Sequence, residues 1–134
     1  MNTSTPELVI YSLRDAPLHV HAHLGVTLLA LLIGVLIFLR SKGAASHKAL
    51  GWCWVVLMLA ASLTSFFIQA RGRFSLIHIL SVVVLIAIPT AVVAARRRSI
   101  RLHKICMIST FAGLAIAGVF TLLPYRMLGK LVFW

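Results

Sequence analysis

Four long apolar runs constrain this chain more than any other feature of its sequence. A helix of about 20 residues, rising about 1.5 Å per residue, spans the roughly 30 Å hydrocarbon core of a bilayer. Lipid offers the backbone no hydrogen-bonding partners, so a spanning segment must be a helix or a strand of a closed barrel. The runs are continuous rather than alternating, which favours helices. The sequence therefore predicts four transmembrane helices from the runs Leu18–Leu39, Ala49–Ala70, Phe74–Ala95 and Ile105–Leu123.

The composition excludes a water-soluble domain. Hydrophobic residues make up 61% of the chain, and the only acidic side chains are Glu7 and Asp15. So few charges cannot cover the surface of a soluble protein. The 134 residues leave no room for a second domain. We predict a single membrane domain over residues 1–134, with helices at about 18–40, 48–70, 74–95 and 102–123 and an interfacial tail at 124–134.

The short connections between the runs determine the topology. Consecutive helices joined by a few residues must be antiparallel neighbours, so we predict an all-α, up-down four-helix bundle built from two similar helical hairpins. The small residues Gly25, Gly34 and Gly113 offer places where helices can approach closely. Trp52 and Trp54 are expected to mark the inner membrane interface on the second helix.

The positive charge has a topological explanation. A net charge of +11 would suit a nucleic-acid-binding protein, but the basic residues lie between the apolar runs. Eight of them lie in the first and third connections: Arg40, Lys42, Lys48, Arg96, Arg97, Arg98, Arg101 and Lys104. The other five are Arg14, Arg71, Arg73, Arg126 and Lys130. The positive-inside rule then predicts both termini outside and the protein in a bacterial inner membrane. Residues 1–17 lack the basic start of a cleaved signal peptide, so none is expected.

Four histidines form two matched pairs along the chain. His23 and His47 are 24 residues apart, and His78 and His103 are 25 apart. Each pair brackets one apolar run, and the second member of each precedes a lysine. In a duplicated hairpin, His23 and His78 share an outer layer and His47 and His103 an inner layer. About 16 residues separate His23 from the inner end of its helix, or about 24 Å, so one cofactor cannot reach both layers.

Two haem b groups would suit these two layers. Imidazoles on facing helices can supply both axial ligands of a haem iron, and helical bundles commonly hold cofactors in this way. We therefore predict His23 with His78 and His47 with His103 as haem-iron ligands, for one or two haems. The basic residues available to pair with propionates are Lys48, Arg101 and Lys104 on the inner side and Arg71, Arg73 and Arg126 on the outer side.

Simpler roles for the histidines remain open from the sequence. His19 and His21 are interpreted as headgroup-level polar residues, although His19 and His23, four apart, could form a surface copper or zinc site. His78 lies four residues into an apolar run, where an ionisable group usually faces a functional interior, but a histidine bonded to serine or a carbonyl is the alternative. The inner pair lies so near the interface that either member could be a headgroup-level residue.

The motifs KGAASHKALGW, SFFI, FSLIHILSV, HKICM and FTLLPYR support a family resemblance. Over roughly residues 18–127 the chain resembles an uncharacterised family of bacterial four-helix membrane proteins, known as a predicted membrane domain of unknown function. The resemblance implies a four-helix membrane domain and no established activity. Separately, the histidine layout is similar to that of the two-haem transmembrane cytochromes b, from which the chain departs in placing His47 and His103 so near the interface.

These observations lead to a functional expectation. We expect a haem b protein that carries electrons across or within the membrane, with quinone as a possible donor or acceptor, inside a larger membrane complex or a homo-oligomer. An electron-transfer subunit is favoured over a stand-alone enzyme because the sequence has no soluble catalytic domain or nucleotide motif. The alternatives are a cofactor-free accessory subunit that packs against a respiratory or photosynthetic complex, and a small transporter or assembly factor.

Overall fold

The computed structural model describes residues 16–68 and 76–121, and most of these residues lie in four α-helices. The helices are α1 (Leu18–Leu39), α2 (Ala45–Ser65), α3 (Leu76–Arg96) and α4 (Ile100–Thr121). By length and composition, each of the four could cross a membrane. The described ranges contain no β-strand. The predicted all-α, four-helix membrane fold is therefore confirmed, whereas the side of the membrane on which the termini lie stays a prediction.

The helices pack as two hairpins side by side. The most extensive contacts join α1 to α2 and α3 to α4, and α2 packs on α3 between them. The seam between α1 and α4 is the loosest of the four. In the described ranges, α1 does not approach α3 closely, and α2 does not approach α4. These two pairs are therefore the diagonals of the bundle, as the up-down topology requires.

The helix ends depart from the predicted ranges by a few residues. Helix α2 begins at Ala45, three residues earlier than expected, after a turn at Gly43 with φ of +85°. Helix α4 begins at Ile100, because α3 is closed by a tight turn in which Arg98 adopts a left-handed φ of 59°. We call the end of the bundle that carries connections 40–44 and 97–99 the basic end. The connection 69–75 and the tail 124–134 lie outside the described residues.

The middle of the bundle is a closed apolar core. Its buried members are Ala30, Trp54, Val55, Met58, Val84 and Ile88. Trp54 is only 3% exposed, and its Nε1–H donates to the backbone oxygen of Ala30 across the α1–α2 contact, at 2.9 Å. The expectation that Trp54 marks the interface is therefore wrong, because its indole fills the space between helices. Trp52 is 52% exposed, with the Arg96 guanidinium 5.8 Å from its ring centre.

Two of the three glycines predicted to allow close helix approach do so. A Cβ at Gly34 would lie 2.6 Å from the Phe111 ring, so this glycine lets α4 pack against α1. At Gly113 a Cβ would meet Leu80 of α3 at 3.2 Å. Gly25 lies in open space, with nothing within 4 Å of such an atom, and makes no close approach.

Candidate cofactor-binding site: two histidine layers

The ring of His23, on α1, forms a hydrogen bond with a side chain of α2. Its Nδ1 lies 2.9 Å from Oγ1 of Thr64, near the end of α2. The Thr64 hydroxyl donates its own proton to the backbone oxygens of Ala60 and Ala61, at 2.8 and 3.1 Å. With its single proton directed to these carbonyls, the Thr64 oxygen accepts from Nδ1 of His23, which then carries the hydrogen. The lone pair of Nε2 is then available to a ligand or metal.

His78 on α3 lies against the same end of α2. Its side chain is only 5% exposed, and its ring centre is 5.9 Å from that of Phe66, the residue that follows α2. One turn along α3, the hydroxyls of Ser81 and Ser65 share a hydrogen bond of 2.6 Å between two buried side chains. His23 and His78 thus flank the last turn of α2 from diagonal helices, in the same layer of the bundle.

His103 has a fixed tautomer at the basic end. Its Nδ1 lies 3.0 Å from the backbone oxygen of Ala91 on α3. A carbonyl oxygen can only accept a hydrogen bond, so Nδ1 of His103 is the donor and its Nε2 keeps a lone pair. Histidines that bind metals commonly donate their other ring N–H to a carbonyl in this way. In both His103 and His23, Nδ1 forms the hydrogen bond and Nε2 keeps the lone pair, although the two oxygen partners differ.

His47 on α2 completes the layer at the basic end. Its Nδ1 is buried, and no residue in the described part of the chain forms a hydrogen bond with it. His103 and Lys42 lie near enough to act on its charge. A buried polar atom without a partner costs about 1–3 kcal/mol, which a bound group could offset. The structure therefore brings His47 and His103 to one level, on helices whose backbones do not touch.

The remaining histidines lie apart from both layers. His19 and His21 are exposed, and the closest partner of the His21 ring is the backbone oxygen of Pro17, at 3.3 Å. Their exposure agrees with the headgroup-level interpretation. Within residues 16–68 and 76–121, no three His, Cys, Asp or Glu side chains come together as a metal site. A copper or zinc site built on His19 and His23 would therefore lack a third ligand from the described residues.

The charged groups expected to bind propionates are only partly described. Lys48, Arg101 and Lys104 are exposed at the basic end, on the same helices as His47 and His103. Those expected on the other side, Arg71, Arg73 and Arg126, lie outside the described residues.

Sequence reasoning missed two groups that hold the histidines. Thr64 is 41 residues from His23, and Ala91 acts through its backbone. For Thr64, a weak signal was present, since it is a hydroxyl residue near the end of α2 that packs beside the start of α1. For Ala91 no sequence signal exists, because every residue carries a carbonyl.

The comparison with protein families identifies this chain as a membrane protein. Residues 20–133 match the family described as predicted membrane protein (DUF2306), and the chain belongs to that family. The match covers all four helices. Comparisons with curated proteins and with solved structures find no match.

Proposed function

We propose that this membrane protein binds haem b through its two histidine layers and carries electrons across or within the membrane. One pair of axial ligands is His23 with His78, and the other is His47 with His103. The observation that carries the proposal is the hydrogen bonding of His23 and His103. Both rings hydrogen-bond through Nδ1 to an oxygen on a neighbouring helix, which leaves the lone pair on Nε2 for an iron ligand bond.

The donor set fits a haem iron. Two neutral imidazoles per site are a common axial pair, and the bound iron supplies reversible one-electron chemistry. The closed core around Trp54, Met58 and Ile88 lies between the two layers. Each layer would therefore hold its own group, and the apolar core would separate the two.

The protein's own residues set the environment of each layer. At the basic end, the cations Lys48, Arg101 and Lys104 would favour haem propionates and hold them toward water. In the other layer, the hydrogen-bonded Ser65 and Ser81 lie beside His78. Since charge and hydrogen bonding tune reduction potentials, the two haems should differ in midpoint.

Electron transfer needs a donor and an acceptor. We expect both to be partners in the membrane: a quinone, a larger protein complex or a second copy. The acid-poor basic end would favour an acidic partner surface, and such docking weakens with salt. Co-purification in mild detergent, compared at low and high salt, tests this part of the proposal.

The decisive experiment is a reduced-minus-oxidised absorption spectrum of the purified protein, followed by redox titration. We expect haem b bands and two components, one of which is lost in His78→Ala and the other in His103→Ala. His19→Ala is the matched control, because it removes an exposed histidine from the same membrane segment as His23.

Three outcomes would count against the proposal in different ways. Haem content unchanged in His78→Ala and His23→Ala would make the outer pair structural. A single component, unaffected by His47→Ala or His103→Ala, would leave one haem at the outer layer. A protein that lacks haem after expression with ample haem supply would favour the cofactor-free accessory subunit.

A further inference from the structure

A shallow groove opens between α3 and α4 at the basic end of the bundle. Its volume is about 500 Å³. The residues that line it are Pro89, Thr90, Val93, Ala94, Arg97, Ser99 and Leu102. From Pro89 to Arg96 the groove follows the last eight residues of α3, or about 12 Å of helix, and Arg97 comes directly after them. It thus extends from the end of the helix into the membrane-spanning part.

The deep part of the groove is apolar. Val93 and Leu102 are 47% and 43% exposed, so their side chains form open walls rather than core. The one hydroxyl in this part, that of Thr90, donates to the backbone oxygen of Ile86 at 2.7 Å. Since that donor is already used within the helix, the deep part of the groove suits a hydrocarbon chain better than a polar ligand.

The mouth of the groove carries a cation that pairs with no carboxylate of residues 16–68 and 76–121. Arg97 lines the mouth, whereas its neighbour Arg96 lies over the Trp52 ring. The only acidic side chains of the chain, Glu7 and Asp15, fall outside the described residues, so no carboxylate side chain of the described part can neutralise Arg97. Exposed Arg98 and Arg101 add to the positive field.

The backbone at the mouth is already satisfied. The N–H groups of Arg97, Arg98 and Ser99 donate to the backbone oxygens of Val93, Ala95 and Ala94, at 2.9, 3.1 and 2.8 Å. The bonds from Arg98 to Ala95 and from Ser99 to Ala94 are the usual pair at the end of a helix that is followed by a left-handed residue, here Arg98. Because these N–H groups are used, an anion at the mouth would bind to the arginine side chain rather than to the backbone.

We propose that this groove binds one anionic phospholipid. The phosphate would pair with the Arg97 guanidinium, which suits phosphate geometrically, and an acyl chain would lie along Val93 and Leu102. The combination of an apolar cleft with a cation that no carboxylate of the described residues pairs with fits a lipid and not a soluble anion. Basic pockets between transmembrane helices recognise acidic headgroups by the same chemistry. The proposal does not depend on haem binding.

The test is native mass spectrometry of the purified protein with equal amounts of phosphatidylglycerol and phosphatidylcholine. We expect the wild-type protein to retain one phosphatidylglycerol in preference to phosphatidylcholine. Arg97→Gln should weaken that retention about five-fold, the usual effect of one basic residue near a lipid surface. Arg40→Gln is the matched control, because it removes one exposed arginine from the same end, outside the groove.

Each further variant or competitor has a result that supports or overturns the proposed lipid site. Val93→Trp should reduce lipid retention by filling the apolar part, while helix content stays at the wild-type level. Equal losses in Arg97→Gln and Arg40→Gln would show general attraction to the basic end and overturn the site. Displacement of the lipid by millimolar inorganic phosphate would identify a free-anion site instead, and would also overturn it.

Discussion

At the residue scale, the notable feature is how the imidazoles are oriented rather than how many there are. Of the six histidines in the chain, His23 and His103 are hydrogen-bonded through Nδ1 to an oxygen on another helix. A neutral imidazole donates from one nitrogen and accepts at the other, so the partner of Nδ1 decides which nitrogen can bind a ligand. We propose that Thr64 has this role toward His23 and is a positioning residue, because it would act through the histidine.

The variant Thr64→Val tests this role. Valine keeps the shape of threonine but cannot accept from Nδ1 of His23. We expect haem affinity at the outer layer to fall about 10- to 100-fold, the usual cost of losing such a partner. Titration of haem-free protein with haem measures this affinity, and Thr64→Ser, which retains the hydroxyl, serves as the control.

A second readout for Thr64→Val is independent of haem. The ¹⁵N chemical shifts of the His23 ring report its tautomer, and they should show Nδ1–H in the wild-type protein and a mixture of tautomers in Thr64→Val. If valine left both the tautomer and the haem affinity unchanged, Thr64 would have no positioning role.

At the element scale, close packing of α1 against its neighbours depends on the absence of a side chain at Gly34. The Phe111 ring of α4 and Nε1 of Trp54 lie 2.6 and 3.0 Å from where a Cβ would be. Phe111 also packs edge-on against Phe38 of α1, with ring centres 4.9 Å apart. Phe111 thus contacts α1 at two positions along the seam between α1 and α4, where adjacent helices touch least.

We expect Gly34→Ala to destabilise the bundle by about 1–3 kcal/mol, because the added methyl overpacks the seam. Unfolding in mixed micelles with increasing denaturing detergent measures the change. Gly25→Ala is the matched control: it adds the same methyl to the same helix in open space and should not destabilise. The double variant Gly34→Ala, Phe111→Leu should recover part of the loss. Equal effects of the two glycine substitutions would show that the seam is not tightly packed.

At the scale of the whole molecule, the charge distribution predicts the orientation in the membrane. The basic end carries eight of the 13 lysines and arginines, so segments 40–48 and 96–104, which include the two connections and the adjoining helix ends, should face the cytoplasm. Cysteines at Ser46 and Ser99, in a chain with Cys53 and Cys106 replaced, should resist an impermeant thiol reagent in intact cells. Ser12→Cys, in the N-terminal segment, should react. The opposite labelling pattern would reverse the orientation, and with it the leaflet that supplies the lipid of the groove.

The features that a lipid environment imposes on a chain could be predicted from the amino-acid sequence alone. Backbone groups cannot remain unpaired in hydrocarbon, so the four apolar runs had to be helices, and short connections had to make them antiparallel. The depth of a residue along such a helix can be counted, which is why His23 and His78 could be assigned to one layer and His47 and His103 to the other. The resemblance to a family of four-helix membrane proteins implies the same architecture and gives no information on activity.

The rotation of each helix about its own axis, in contrast, could not be predicted and is known from the packing of the bundle. In a water-soluble bundle an apolar stripe marks the buried face, but here core and lipid are both apolar and the sequence pattern gives no preference. Trp54 therefore looked interfacial although it packs in the core, and Gly25 looked like a contact although it lies in open space. The orientation of each helix about its axis also brings Thr64 to His23 and leaves Arg97 at the mouth of a groove. These features depend on side-chain packing between helices, which no count along the chain can supply.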